Sequence, residues 1–163
     1  MNYFELFELP VSLKLDKALL SKKYVELQKK FHPDFYLNAP EEEQAEVLEK
    51  SSAINKALKI FQNEDQLIKY VLHIKGILEE EEKYELPADF LMEMMELNEY
   101  LDETNPESIT GKVTAYEDEL YKEVRDIIED YDDASVSKEA LLQLKSYYFK
   151  KKYLQRILER MEG

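Results

Sequence analysis

The stretch Lys29-Lys30-Phe31-His32-Pro33-Asp34 ends one helical pattern and starts another, and its reading decides the fold. From Ala18 to Lys30 no Gly or Pro interrupts the chain. Pro33 lacks a backbone N–H and its ring clashes with the preceding turn, so the helix is predicted to stop at Phe31 or His32. A polar loop over Phe35 to Ala39 leads into a second helical pattern. The chain therefore doubles back as a helical hairpin, with a His, a Pro and an Asp at its tip.

Working outward, Asp16 is a candidate N-cap for the first arm, whose apolar stripe is Leu19, Leu20, Tyr24, Leu27 and Phe31. Ahead of it, Tyr3, Phe4, Leu6, Phe7 and Leu9 form a short apolar element closed by Pro10. Pro40 and three glutamates open the second arm, where acids favour the positive end of the helix dipole. Its expected buried face is Ala45, Leu48, Ala53, Ile54, Ala57, Leu58 and Phe61. Asn63 to Asp65 punctuates, and Gln66 to Ile74 gives a shorter helix ended by Gly76.

The four acids Glu79 to Glu82 read as a linker, which places a boundary at residues 76–86 between an N-terminal unit, 1–75, and a C-terminal one, 87–163. Three amphipathic patterns follow, over about 88–103, 107–131 and 137–161, and short connections make them an antiparallel bundle. The fold class is all-α. In the first of the three, Phe90, Met94, Leu97 and Leu101 fall within about 60° on a helical wheel and suffice for a core face. Leu91, Met92 and Met95 are then surplus, ringed by Glu96, Glu99, Asp102 and Glu103. Two adaptable methionines in an acid-rimmed apolar patch suit a protein-binding surface, and equally a helix buried on two sides. The middle helix carries Ile109, Val113, Tyr116, Leu120, Val124, Ile127 and Tyr131 at steps of three and four. The last helix offers two apolar faces, Leu144, Tyr147, Leu154 and Leu158 or Leu142, Phe149 and Tyr153. Lys150-Lys151-Lys152 reads as a solvated face opposing the acids Glu117 to Asp126.

Composition narrows the functions. The 163 residues carry a net charge of −14, which argues against general nucleic-acid binding. Yet six lysines against two acids between Lys14 and Lys30 give a local +4, so the first arm is either a docking surface for an acidic partner or a solvated face. With no Cys and only two His, 41 positions apart, no thiol chemistry, disulfide or resident metal cluster is expected. No apolar run approaches the ~20 residues of a membrane span, and the N-terminus lacks the features of a signal peptide. The expectation is a cytoplasmic protein with no cofactor. His32 and Asp34 lack the nucleophile, phosphate loop or metal group that an enzyme would add. By chance the tripeptide alone arises in about one sequence of this length in a hundred, so its setting carries the meaning.

That setting resembles a J-domain of the DnaJ type over residues 2–72. The resemblance rests on Tyr3-Phe4-Glu5-Leu6-Phe7-Glu8-Leu9-Pro10, the lysines from Lys22 to Lys30, His32-Pro33-Asp34, and Ile54-Asn55-Lys56-Ala57-Leu58. It implies stimulation of ATP hydrolysis by a DnaK-type chaperone, with Lys22, Lys23, Lys29 and Lys30 docking on its acidic surface. His32, Pro33 and Asp34 would press near the junction of its domains. Many relatives carry a Lys after the Asp, where this chain has Phe35. The run Phe90 to Glu99, with Tyr70 to Gly76, is similar to HscB-type co-chaperones, and that likeness covers the chain. It implies an all-α J-domain plus three-helix bundle that binds the iron–sulfur scaffold IscU and presents it to an HscA-type ATPase. The scaffold contacts carried over by position are Leu91, Met92, Met95, Glu96, Glu99, Glu103 and, from the last helix, Tyr148, with Tyr147 or Phe149 as neighbouring choices. Asn98 stands where a relative has a basic residue. The alternative is a J-domain co-chaperone with a different client.

Overall fold

Among the described residues there are seven α-helices: α1 Tyr3–Leu6, α2 Lys17–Phe31, α3 Glu41–Gln62, α4 Glu64–Ile74, α5 Ala88–Glu103, α6 Pro106–Glu129 and α7 Lys138–Glu162, with a 3₁₀ turn at Pro33–Tyr36. The computed structural model describes residues 1–103 and 106–162, and the side chains of these except for 100–103, 106, 161 and 162. No strand occurs among the described residues, and no helix there is long and apolar enough to cross a membrane.

Local chemistry sets the helix ends. The Asp16 carboxylate accepts from the amides of Ala18 and Leu19 and starts α2. Asn63 alone separates α3 from α4, its side chain accepting from the Gln66 amide. Gly76, at φ +73°, lets the amide of Ile77 reach the Leu72 carbonyl at 2.9 Å while its own amide meets that of His73 at 3.0 Å. A side chain would strain that left-handed position, which is why a glycine stops α4.

α2 and α3 pack as the hairpin, and α1 is clamped against α3 and α4. Phe4 stacks obliquely on Phe61, with ring centroids 5.0 Å apart, and the Tyr3 amide donates to the Tyr70 hydroxyl at 2.8 Å. The buried face of α3 is Val47, Ser51, Ile54, Ala57 and Phe61. This corrects the expected set: Leu48 is 62% exposed and Ala45 lies outside, because an unbroken stripe along 47, 51, 54, 57 and 61 has to run through a polar Ser51. On α2 only Leu20 is fully buried, and Leu19 is turned to solvent.

One apolar core runs from α1 and α4 into α6 and α7. Leu67, Ile68, Val71 and Leu72 of α4 join Val124 and Ile128 of α6 and Leu141, Leu144, Tyr147 and Tyr148 of α7. Ile128, rather than Ile127, is the fully buried residue of its turn. A second cluster holds α5 to the bundle through Phe90, Met94, Leu97, Ile109, Val113, Leu154 and Ile157. On α7 the face with Leu144, Tyr147 and Leu154 is thus core, and Leu142 is exposed.

The segment between α4 and α5 is irregular but held down. Leu78 is buried, Tyr84 stacks on Phe149 at 4.5 Å, and the Lys145 ammonium joins the Ile77 carbonyl at 2.9 Å to the Glu82 carboxylate at 2.6 Å. Lys75 pairs with Asp133 at 3.0 Å, and Lys151 with Asp65 of α4 at 2.8 Å. The lysine run 150–152 is therefore no solvated face. Successive helical residues diverge by about 100°, so three in a row cannot share one side. Lys151 turns inward to α4, while Lys150 lies over the Phe90 ring and Lys152 over that of Tyr148.

The hydrogen bond from Lys145 is the main cause that holds the Glu82 carboxyl below its ordinary pKa. Burial alone would raise Asp133, but bonds from Lys75 and Tyr131 outweigh it and the net shift is also down. Carboxylates depressed in the fold stabilise it above their unfolded pKa, and the stabilisation is lost as pH falls through the folded value. Lys145→Ala is expected to cost about 2 kcal/mol in urea unfolding at neutral pH, since it leaves Glu82 and the Ile77 carbonyl without their shared donor. Wild type should lose stability more steeply than Glu82→Gln on acidification below about pH 4, near the ordinary carboxylate pKa.

Candidate interaction surfaces

Two surfaces carry the candidate residues. At the hairpin tip, His32 adopts φ −71°, ψ 129°, the extended conformation that Pro33 demands of its predecessor. Its Nδ1 accepts the Asp34 amide hydrogen at 3.2 Å, which assigns the ring proton to Nε2. The same nitrogen lies 3.6 Å from the Asp34 carboxylate but has no proton to share with it in that tautomer. His32 therefore works as a turn lock. The Asp34 carboxylate, 77% exposed, remains open to an external cation.

Three further side chains hold this tip, and none was evident from the motif. The Tyr36 hydroxyl donates to the Lys30 carbonyl at 2.6 Å, satisfying an orphan acceptor of the last turn of α2. The Gln44 amide reaches the Leu37 and Ala39 carbonyls at 3.2 and 2.8 Å. Asn55 of α3 accepts from both Tyr24 and Gln28 of α2, at 2.9 and 3.1 Å, and so sets the spacing of the two arms. Gln44 carries no sequence signal for such a role, and Asn55 stands in the Ile54-to-Leu58 run of the resemblance without a role of its own.

Of the four lysines, Lys22, Lys29 and Lys30 are exposed. Lys23 is half-buried and 3.6 Å from Glu8, so part of its charge is already answered. Lys29 and Lys30 occupy the last turn of α2, where cations also suit the negative end of the helix dipole.

On α5 the two readings of the apolar surplus separate. Phe90, Met94 and Leu97 are buried, and the Phe90 ring meets Tyr153 edge-on at 6.0 Å. Met92 and Met95 are 66% and 65% exposed and Leu91 is 39%, so the helix is covered on one side only. Glu93, Glu96 and Glu99 are exposed beside them. A cleft of about 380 Å³ between α5 and α6 adjoins this rim and is lined by Glu96, Leu97, Lys112, Ala115, Tyr116 and Glu119. Burial, then the nearby carboxylates of Glu93, Glu96 and Glu119, raise the pKa of the Tyr116 hydroxyl. Asn98 is half-buried and its Oδ1 has no hydrogen-bond partner among the described residues. The side chains of Leu101 and Glu103 lie outside the described residues.

Tyr148 does not join this stripe. It is 7% exposed, sits in the core shared with α4, and meets Phe149 edge-on at 5.2 Å. Its neighbour Phe149 is half-buried under Tyr84. Among the described residues no three His, Asp or Glu side chains gather as a metal-ligand group.

The comparisons with known proteins agree with this architecture. Residues 86–162 match the model of the HSCB C-terminal oligomerisation domain. The co-chaperone protein HscB homolog of Vibrio vulnificus is 37% identical over 128 residues, covering 76% of this chain and 75% of the relative. That of Photobacterium profundum is 34% identical over 153 residues, covering 89% and 90%. Among solved structures, the chaperone HscB from Vibrio cholerae superposes with a TM-score of 0.73 at 28% identity, over 99% of this chain and 96% of that one. The human co-chaperone protein HscB gives 0.79 at 28% identity, over 99% and 81%. With an exposed basic tip at one end, an acid-rimmed apolar stripe on the bundle and relatives of this identity and coverage, the chain belongs to the HscB family of co-chaperones.

Proposed function

We propose that this chain is a non-enzymatic cytoplasmic co-chaperone that stimulates the ATPase of a DnaK/HscA-type chaperone and delivers an IscU-type iron–sulfur scaffold to it. Residues 1–75 act as the J-domain, 76–86 as the connection and 87–163 as the scaffold-binding bundle. The observation that supports the reading is the pairing of two exposed surfaces of opposite character on two apolar clusters that α6 and α7 both enter. Lys22, Lys29 and Lys30, with a smaller share from Lys23, steer the hairpin onto an acidic face. Pro33 and His32 hold the turn so that Asp34 meets a chaperone cation, a charge-assisted contact preorganised before docking. Leu91, Met92 and Met95 give the scaffold an apolar seat, and Glu96 and Glu99 orient it, with Glu103 placed beside them by sequence. Tyr148 is left out of this set because of its burial. The runner-up keeps the tip and changes the client.

The chaperone half is tested by single-turnover ATP hydrolysis with the DnaK-type chaperone of the same cell. Wild type should accelerate it, and His32→Gln should abolish the acceleration without changing the helical circular dichroism. A wild type that gives no acceleration would sink the co-chaperone reading.

The client half is tested by calorimetric titration of the full chain with an IscU-type scaffold. Leu91→Ala with Met95→Ala should weaken binding by about tenfold or more, since each truncation removes roughly 1 kcal/mol of burial at an interface centre. Unchanged affinity, or no binding by wild type, would favour the different client. The matched family description also speaks of oligomerisation. Sedimentation in which wild type is a dimer and this double variant a monomer would instead make the stripe a contact between copies.

A further inference from the structure

Directly after Asp34 the tip presents two apolar side chains that nothing covers. Phe35 is 69% exposed and Leu37 is 71% exposed, among the largest exposures of any described hydrophobic side chain. Disorder does not explain it, because the backbone on either side is tied. The Phe35 amide donates to the His32 carbonyl at 3.0 Å and the Ala39 amide to the Tyr36 carbonyl at 3.0 Å. Gln44 holds the Leu37 carbonyl, and Tyr36, between the two, is half-buried and bonded to Lys30. The turn thus spends its inward position on Tyr36 and directs the flanking pair to solvent. Two exposed apolar side chains held on an ordered turn can add apolar burial to a contact made at the tip.

What covers the pair follows from where it sits. The Phe35 ring lies 5.8 Å from the His32 ring, so a surface that engages His32 and Asp34 also meets Phe35. The same hairpin end carries Lys29 and Lys30, which select a partner with an acidic face. We infer that Phe35 and Leu37 are an apolar anchor for the DnaK-type chaperone, seated in an apolar recess that adjoins the acidic face and the cation reached by Asp34. The inference rests on the proposed chaperone reading. It makes Phe35 and Leu37 determinants of affinity and of which chaperone is accepted, and it makes docking partly insensitive to salt, since apolar burial is not screened.

The test measures the co-chaperone concentration for half-maximal stimulation of single-turnover hydrolysis, at low salt and at about 0.5 M salt. It uses full-length wild type, Phe35→Ser with Leu37→Ser, Phe35→Lys, and His32→Gln. The double-serine variant should raise that concentration about tenfold at both salts, with unchanged circular dichroism and thermal midpoint because neither side chain is core. Phe35→Lys should weaken docking at high salt most, having exchanged burial for a screened charge. An unaltered half-maximal concentration in the double-serine variant, with His32→Gln still inactive, overturns this inference and leaves the chaperone reading standing. Absence of stimulation by wild type removes both. A wild type that sediments as a dimer, with the double-serine variant monomeric and stimulating normally, assigns the pair to a second copy of this chain and also overturns the inference.

Discussion

The burial of α4 between the N-terminal helices and α7 is the constraint on which the rest of the geometry depends. At 11 residues α4 is too short to persist by its own hydrogen bonds, and packing has to hold it. Leu67, Ile68, Val71 and Leu72 are buried, forming one core with Phe4 and Phe61 of the N-terminal helices and with Leu144, Tyr147 and Tyr148 of α7. Around that seam stand Lys75–Asp133, Lys151–Asp65 and the Lys145 bridge between Ile77 and Glu82. Separating the two halves would expose the apolar seam and strand several half-buried charges at once, and leaving such charges unpaired is costly.

On that frame both candidate surfaces use the same device, which is order without cover. At the tip, hydrogen bonds from Asp34, Tyr36 and Gln44 hold a turn whose Asp34, Phe35 and Leu37 side chains face outward. On α5, a fully buried row of Phe90, Met94 and Leu97 holds a helix whose Leu91, Met92 and Met95 do the same. Their rims differ in sign, lysines at one and glutamates at the other. In a chain of net charge −14 the lysine-rich arm is a local exception. Under the proposed reading, fields of opposite sign at the two sites would sort two partners, because like-charge juxtaposition is costly.

Much of this was legible in the chain. A proline that cannot continue a helix, an aspartate before an apolar run and a glycine after one are local devices, and they act wherever they stand. The ends of α2 at Phe31 and of α4 before Gly76 accordingly fell where the residues said. The core face of α5 was also readable, since Phe90, Met94 and Leu97 recur at helical spacing. Reading went astray where polarity and position disagree. On α3 Ile54, Ala57 and Phe61 are buried as expected, but the stripe continues through the polar Ser51 to Val47 and leaves Leu48 and Ala45 outside. On α7 the residues 150–152 look like one charged run, yet a helix sends them in three directions and Lys151 meets Asp65 from a helix some 85 positions earlier.

The sequence by itself determined the all-α class, the hairpin with His32, Pro33 and Asp34 at its turn, and the presence of apolar residues in excess on α5, because each follows from helix geometry and backbone chemistry within a few residues. Only the tertiary structure decided which of those residues are free. Exposure is a property of what packs opposite, so Met92 and Met95 became surface when α6 and α7 covered only the other side of α5, and Tyr148 became core when α4 was laid against α7. The same holds for Phe35 and Leu37, whose outward position follows from Tyr36 taking the inward one and from a glutamine on the neighbouring helix holding the loop.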